Sequence, residues 1–408
     1  MTAHNAYSMP LEAIDVSDPQ LYQDDTWYPY FERLRREAPV HWCRESRYGP
    51  YWSVCKYKDI MQVEVNHQVY SSDAAISILD PPEGLERQSF IAMDPPKHDE
   101  QRKVVSPAVA PGNLANMEGL IRERTARVLD SLPRGETFDW VDRVSIELTT
   151  MMLATLFDYP WEDRRQLTYW SDVVIANVDA PESPVHSEEE KFAELTKMTE
   201  ALGKLFAERA KLPPKFDLLS MLAHSAATRN MPFREFMGNL SLLIVGGNDT
   251  TRNSMTGGLW ALSQYPHEYE KLRGNPELVQ SLVPEIIRYV TPVIHMRRTA
   301  TADAELGGQR IRAGDKVVMW YVSGNRDPDA IEVPDDFIID RPRPRQHLSF
   351  GFGIHRCVGN RLAELQLRIL WEELLPRYPY VEVLTPPTRT YSNFIHGMRS
   401  MPVRIPLH

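Results

Sequence analysis

Between Phe233 and about Ser263 the sequence runs without a proline and keeps its apolar residues at helical spacing. A helix of roughly 30 residues rises about 45 Å. Such a rod crosses a protein of this size, and every other element has to be arranged around it. Its middle is odd: in "VGGNDTTRN" (245–253) Gly246 and Gly247 stand inside the helical pattern, each costing about 1 kcal/mol relative to alanine. Taken alone, the pair reads as a place of close helix–helix packing through small residues.

The rest of the chain is organised around more helices. "YPYFERLRREAP" predicts a short amphipathic helix ending before Pro39, and "VHWC" and "YWSVC" predict two strands flanking the turn at Gly49 and Pro50. Apolar residues three and four apart in "LIRERTARVLDSL", "VSIELTTMMLATLF" and "ELTKMTEALGKLFAERAKL" predict helices through the region from 99 to 288. The proline- and acid-rich stretch 179–190 reads as a solvated loop. After a helix ending near Val290, residues 294–321 switch to short strands with Gly-rich turns, and Pro-rich coil runs from about 326 to 346. A chain of 408 residues carries a length-based expectation of two or three domains. No repeat or interdomain linker is seen, so the expectation is a single unit, mainly α with a minor β region.

Composition narrows the function. A net charge of −10 argues against a nucleic-acid binder, which needs a basic stripe to neutralise phosphates. Three cysteines (Cys43, Cys55 and Cys357) cannot build a disulfide framework, which suits a reducing compartment. The N-terminus is polar and acidic, and "LSLLIVGG" is too short to span a bilayer. A soluble, cytoplasmic protein without a membrane anchor is therefore expected.

One cysteine stands apart. In "HLSFGFGIHRCVGNRLAEL" (347–365) Cys357 is set among Gly351, Gly353 and Gly359, just before a helix expected from Val358 to about Leu375. Ala363, Leu367, Leu370 and Leu374 share one face of that helix, with Leu362, Leu365 and Ile369 beside them, and Pro376 is expected to stop it. A helix N-terminus stabilises a thiolate, the form of cysteine that attacks or binds metal. The glycines suit either unusual backbone angles or the close approach of a large flat partner. A lone buried cysteine is more often inert.

The loop "FGFGIHRCVG" resembles the haem-binding loop of the cytochromes P450, with Phe350, Gly353, His355, Cys357 and Gly359 on pattern. The resemblance covers about residues 25–405, leaving about 1–24 as an N-terminal extension of one P450 domain over 1–408. It implies a P450 fold and haem b with Cys357 as axial ligand to iron. By the same resemblance, Phe350 packs over the sulfur and His355 bonds a haem propionate. "PEIIR" supplies Glu285 and Arg288, the pair that ties to an arginine of "DRPRPR" and holds the cysteine loop; by itself such a pair is a common surface ion pair. His98 and Arg102 in "MDPPKHDEQRKVV" would be propionate partners, as would Arg298 in "RRTATAD", with Arg297 one register away. Alone, the 98/102 spacing is a solvated helical face. Gly246 and Gly247 resemble the point where the family opens the long helix above the iron. Asp249 and Thr250 match its acid–alcohol pair, which delivers protons during oxygen activation. Asn248 is a secondary feature.

Within the family the chain looks most like the bacterial soluble subfamily that hydroxylates the terminal carbon of medium-chain alkanes and fatty acids. Substrate-pocket residues are expected at Ile76, Ile78 and Leu79, at Leu243 and Ile244, at Val293, Ile294 and Met296, and at Phe394 and Ile395. All are apolar, which suits a hydrocarbon chain and equally an ordinary core. The resemblance also implies a 2Fe–2S ferredoxin with an NAD(P)H-dependent ferredoxin reductase, since the chain carries no second cysteine cluster and no flavin or dinucleotide module. Lys97, Arg102 and Lys103 with Arg356, Arg361 and Arg368 form a basic subset suited to an acidic ferredoxin, or simply scattered surface charge.

Other functions fit parts of the sequence. A P450 acting on a terpenoid, steroid or other apolar ring compound fits the same motifs. A peroxide-driven enzyme would not need Asp249 and Thr250. A thiol hydrolase using Cys357 would leave Glu285, Arg288, His98 and Arg102 without a role, and a non-catalytic haem carrier or sensor would have no use for an opened helix.

Overall fold

The computed structural model describes residues 3–73 and 75–407; of the expected domain, residues 1, 2, 74 and 408 lie outside it. The long helix runs from Phe233 to Gln264, 32 residues, and other helices pack around it. Among these are Glu147–Phe157, Arg165–Ile175, Glu188–Arg209, Val279–Val290 and Asn360–Arg377. The last starts two residues later than expected and runs through Pro376. Proline is tolerable there because the helix is ending and few bonds are lost. Leu362, Leu365, Leu367, Ile369, Leu370, Trp371 and Leu374 bury this helix in the core.

The β minority is one main sheet and small satellites. Val40–Cys43 pairs antiparallel with Tyr51–Val54, which lies parallel to Lys316–Trp320; that strand pairs antiparallel with His295–Ala300, and Tyr70–Ser71 forms the far edge. Aromatic side chains suit a pleated surface, and Trp42 and Trp52 face each other across the first pair at 5.0 Å.

One expectation is corrected. The acids of the 179–190 stretch are not all in the loop: Glu188, Glu189 and Glu190 form the first turn of the helix Glu188–Arg209, where the dipole favours negative charge, and Ser187 Oγ caps it by accepting from the Glu190 N–H at 3.0 Å. Val185 in the same stretch is fully buried. The N-terminal segment packs into the fold: Ile14, Val16, Leu21 and Tyr22 are buried beside Phe31 and Trp320. Asn393 Nδ2 also donates to the Ser17 carbonyl at 2.6 Å.

Loop residues 81–92 lie over one end of the long helix. The Gln88 carbonyl sits where a side chain on Gly238 would begin, 2.0 Å from the ideal Cβ position, and the Phe90 N–H donates to Asn239 Oδ1 at 2.9 Å. Gly238→Ala should therefore destabilise the protein by about 3 kcal/mol through overpacking, although alanine in an open helix would add about 1 kcal/mol of stability. Thermal or denaturant unfolding reads the sign directly.

Candidate active site

The site is assembled where the cysteine loop, the long helix and the main sheet meet around a cavity of about 650 Å³. In the loop, Gly351 and Gly353 take positive φ of 63° and 67°, angles that other L-residues adopt only with strain. The turn lets the Cys357 N–H donate to the Phe350 carbonyl at 2.8 Å. Gly359 has an ordinary φ of −91° and open space on its Cβ side, and it borders the cavity. The glycines thus divide between the two uses expected of them. Cys43 and Cys55 are buried elsewhere in the fold. Cys357 lies deep in the protein, but its side chain opens to the cavity. Burial pushes its thiol pKa up, while the backbone N–H groups of Gly359 and Asn360 and the charges of Arg102 and Arg356 pull it down.

Basic groups crowd the wall beside the sulfur. Arg102, Arg298 and His355 line the cavity. His98 does not; it stands behind, edge-on to His355 with ring centroids 4.4 Å apart, its Nδ1 bonded to Asp99 at 2.7 Å. Among the described residues, His98 Nε2 and both ring nitrogens of His355 are buried without a partner. Burial and the neighbouring Arg298, His98 and Arg102 push the His355 pKa down to about 2. The neighbours at 297 and 298 part: Arg297 turns to Asp80, and Arg298 faces the cavity. A buried carboxylate that sequence reasoning missed, Glu64, accepts from Arg298 Nη2 at 3.0 Å and from the Tyr321 hydroxyl. One acid against this many basic groups leaves a cradle suited to further carboxylates, and the orphaned histidine nitrogens fit the propionates of a haem.

Glu285 and Arg288 are fully buried and joined twice, at 2.7 and 2.8 Å. The arginine of "DRPRPR" that meets them is Arg341, whose Nε reaches Glu285 at 3.1 Å. Arg288 also donates to the carbonyls of Asn325, Pro334 and Asp336 at 3.0, 2.7 and 2.9 Å. The coil leading to the cysteine loop is thereby tied to the helix.

The long helix presents Gly246, Gly247 and Thr250 to the cavity, and Thr250 Oγ1 donates to the Gly246 carbonyl at 3.2 Å. Its backbone is assigned helical throughout, with no break at the glycine pair. Gly246 leaves open space, whereas a side chain on Gly247 would strike Leu153 at 2.8 Å; both border the cavity, and Gly247 also allows close packing. Asp249 does not border the cavity. Successive helical residues point about 100° apart, and its carboxylate turns from the cavity to Ser171 and Arg252. Burial raises its pKa to about 6 against the pull of Arg252. Arg252 continues to Asp172 at 3.0 Å, which is partly exposed. Asn248 accepts from Thr149 at 2.7 Å and belongs to a helix contact.

Of the expected apolar lining, Ile76, Ile78, Leu79, Leu243, Val293, Met296, Phe394 and Ile395 border the cavity. Ile244 and Ile294 do not. Each follows a lining residue, and helical rotation at 244 and extended alternation at 294 turn them into the core. Phe90, Ala92, Val174, Val178 and Leu195 also border the cavity. No motif marks these residues, which reach the cavity only by packing.

The chain matches the family described as Cytochrome P450 over residues 185–400. It is 36% identical to linalool 8-monooxygenase of Pseudomonas putida, covering 96% of this chain and 99% of that protein. It is 32% identical to a methyl-branched lipid omega-hydroxylase of Mycobacterium bovis over 97% and 95% of the two chains. The solved structure of cytochrome P450-153 from Novosphingobium aromaticivorans shares 48% identity and superposes with a TM-score of 0.89, covering 96% of this chain and 99% of that one. The chain belongs to the cytochrome P450 family and has its fold. It is a monooxygenase whose cofactor is haem with a cysteine thiolate on the iron, supplied with electrons by redox partners. No described helix is long and apolar enough to cross a membrane.

Glu285→Ala should leave two guanidinium groups buried without their acid and cost about 3–5 kcal/mol. The expected result is a lower denaturant midpoint and a smaller haem content per chain.

Proposed function

We propose that this P450 inserts one oxygen atom of O2 into the terminal C–H bond of a medium-length hydrocarbon chain, an alkane or a fatty acid. The observation that carries the reading is the largely aliphatic wall leading away from Cys357. Such a wall takes up a chain by removing its apolar surface from water. The likeness to a lipid omega-hydroxylase and to a P450-153 supports it.

In this reading Cys357 is the iron ligand, and the haem supplies the oxygen activation that no side chain can. Arg102, Arg298 and His355, with His98 behind it, would hold its carboxylates, Phe350 would pack near the sulfur, and Glu285 with Arg288 and Arg341 keeps the loop in place. Thr250 offers its hydroxyl at the cavity wall. Asp249, joined through Arg252 to Asp172, gives the proton route its solvent end, and a carboxyl with a pKa of about 6 both takes and releases a proton near neutral pH. To reach Thr250 it has to leave Arg252 and turn.

A titration of the ferric holoprotein with alkanes and fatty acids of graded length tests the reading. A low-to-high-spin shift with an optimum at medium length is expected. A ring terpenoid favoured over every chain would support the second reading, which the 36% identity to linalool 8-monooxygenase keeps in play.

The reading includes a ferredoxin as electron donor, and the basic subset expected to receive it shrinks in the folded chain. Lys97 is paired with Glu235, and Arg368 with Glu118 and Glu372. Among the described residues, Lys103, Arg356 and Arg361 form no ion pair. Arg361→Glu should slow reduction by ferredoxin several-fold at low salt, with the difference fading as ionic strength rises, and should leave spectral substrate binding unchanged. Stopped-flow reduction separates the two effects.

A further inference from the structure

Away from the wall beside the cysteine, the cavity carries three more cations, Arg47, Arg87 and Lys191; Arg47 is paired with Asp179, and among the described residues the other two form no ion pair. Arg87 and Lys191 both line it, as do two acids, Glu188 and the Asp179 already taken by Arg47. Lys191 is 7% exposed and spends one ammonium proton on the Ala176 carbonyl at 2.8 Å, leaving two for another partner. Among the described residues, Arg87 Nη1 is buried without any hydrogen-bond partner. Burying a charged donor without an acceptor is costly. The electrostatics agree: burial pushes Lys191 down to about 8 with Arg87 adding to the push, and Glu188 opposes both shifts without preventing them.

Their place in the cavity is set by the long helix. Gln88, the neighbour of Arg87, lies against Gly238. Gly246 and Thr250 border the cavity eight and twelve residues further along, about 12 and 18 Å at 1.5 Å per residue. An apolar wall therefore separates a cationic end from the end that holds Cys357.

We infer that Arg87 and Lys191 anchor the carboxylate of the substrate, so that the cavity is built for a free fatty acid held by its head with its far end at the cysteine loop. The inference rests on the chain-hydroxylase reading and chooses between its two substrate classes. An alkane would leave the unpaired donor as it is, whereas a carboxylate accepts from both residues through charge-assisted bonds.

The test is a spin-state titration of the ferric holoenzyme with dodecanoate, methyl dodecanoate and dodecane, in the native protein and in Arg87→Gln, Lys191→Gln and Arg87→Lys. The native protein should bind the acid roughly ten- to a hundredfold more tightly than its ester, as one charged hydrogen bond of about 1.5–3 kcal/mol implies. That ratio should collapse toward one in Arg87→Gln and fall in Lys191→Gln, and Arg87→Lys should retain most of it. Haem content and the reduced carbonyl spectrum establish that each variant is loaded; if Arg87→Gln fails to load, Lys191→Gln carries the test. An acid-to-ester ratio near one in the native protein, with both chains still shifting the spin state, would overturn the anchor and leave the chain-hydroxylase reading standing. So would a ratio that survives both glutamine variants. A protein whose spectrum responds to none of the three chains would sink the chain-hydroxylase reading and the anchor with it.

Discussion

The buried contact of Glu285 with Arg288 and Arg341 is the point on which the site depends. A coil of about twenty residues between 326 and 346 has no ladder or helix of its own to occupy its backbone groups, and buried carbonyls without partners are expensive. The guanidinium groups supply the donors. Arg288 bonds carbonyls at 325, 334 and 336, Arg341 those at 332, 333 and 336, and the Ile338 N–H returns to Glu285 at 2.9 Å. Asn325 then accepts from the Leu348 N–H at 2.7 Å, and Ser349 Oγ reaches the Ile287 carbonyl at 2.8 Å. From this anchored stretch the loop continues to Cys357, so the position of the sulfur is inherited from an ion cluster many residues away.

The long helix sets the second constraint. Its polar side chains are pinned by partners on other elements: Asn239 by the Phe90 N–H and Gln101, Asp249 by Ser171, Asn253 by the Met398 N–H, and Thr256 by Ser145. These bonds fix the rotation of the rod about its axis, and hydrophobic packing alone discriminates rotation less sharply. Rotation in turn decides that Gly246 and Thr250 face the cavity while Asn248 and Asp249 face other helices.

Charge in the cavity follows the same economy of buried groups. Basic side chains cluster near the cysteine loop, where Glu64 answers part of their charge, and a second, smaller cationic group occupies the region where residues 81–92 cross the helix. Aliphatic walls lie between. Buried cations short of acids make sense when the acids come from ligands.

Much of this was legible in the sequence. Periodicity and proline placement marked the long helix to within a residue of its end, and "FGFGIHRCVG" with "PEIIR" marked the family, because loop geometry and ion pairing need particular residue types at set spacings. Neighbours in sequence were harder to separate: Thr250 from Asp249, Leu243 from Ile244, Val293 from Ile294, and Arg298 from Arg297. Each pair contains one residue that faces the cavity and one that does not, and composition cannot tell them apart. Glu64, Arg87 and Lys191 carried no signal, since an isolated charge in a helix or loop usually points to water. The sequence by itself determined the class of protein, the cysteine and the rod. Only the tertiary structure decided which side chains meet at the cavity, because that depends on the rotation of each helix and the path of each loop, which packing and buried hydrogen bonds settle jointly across distant parts of the chain.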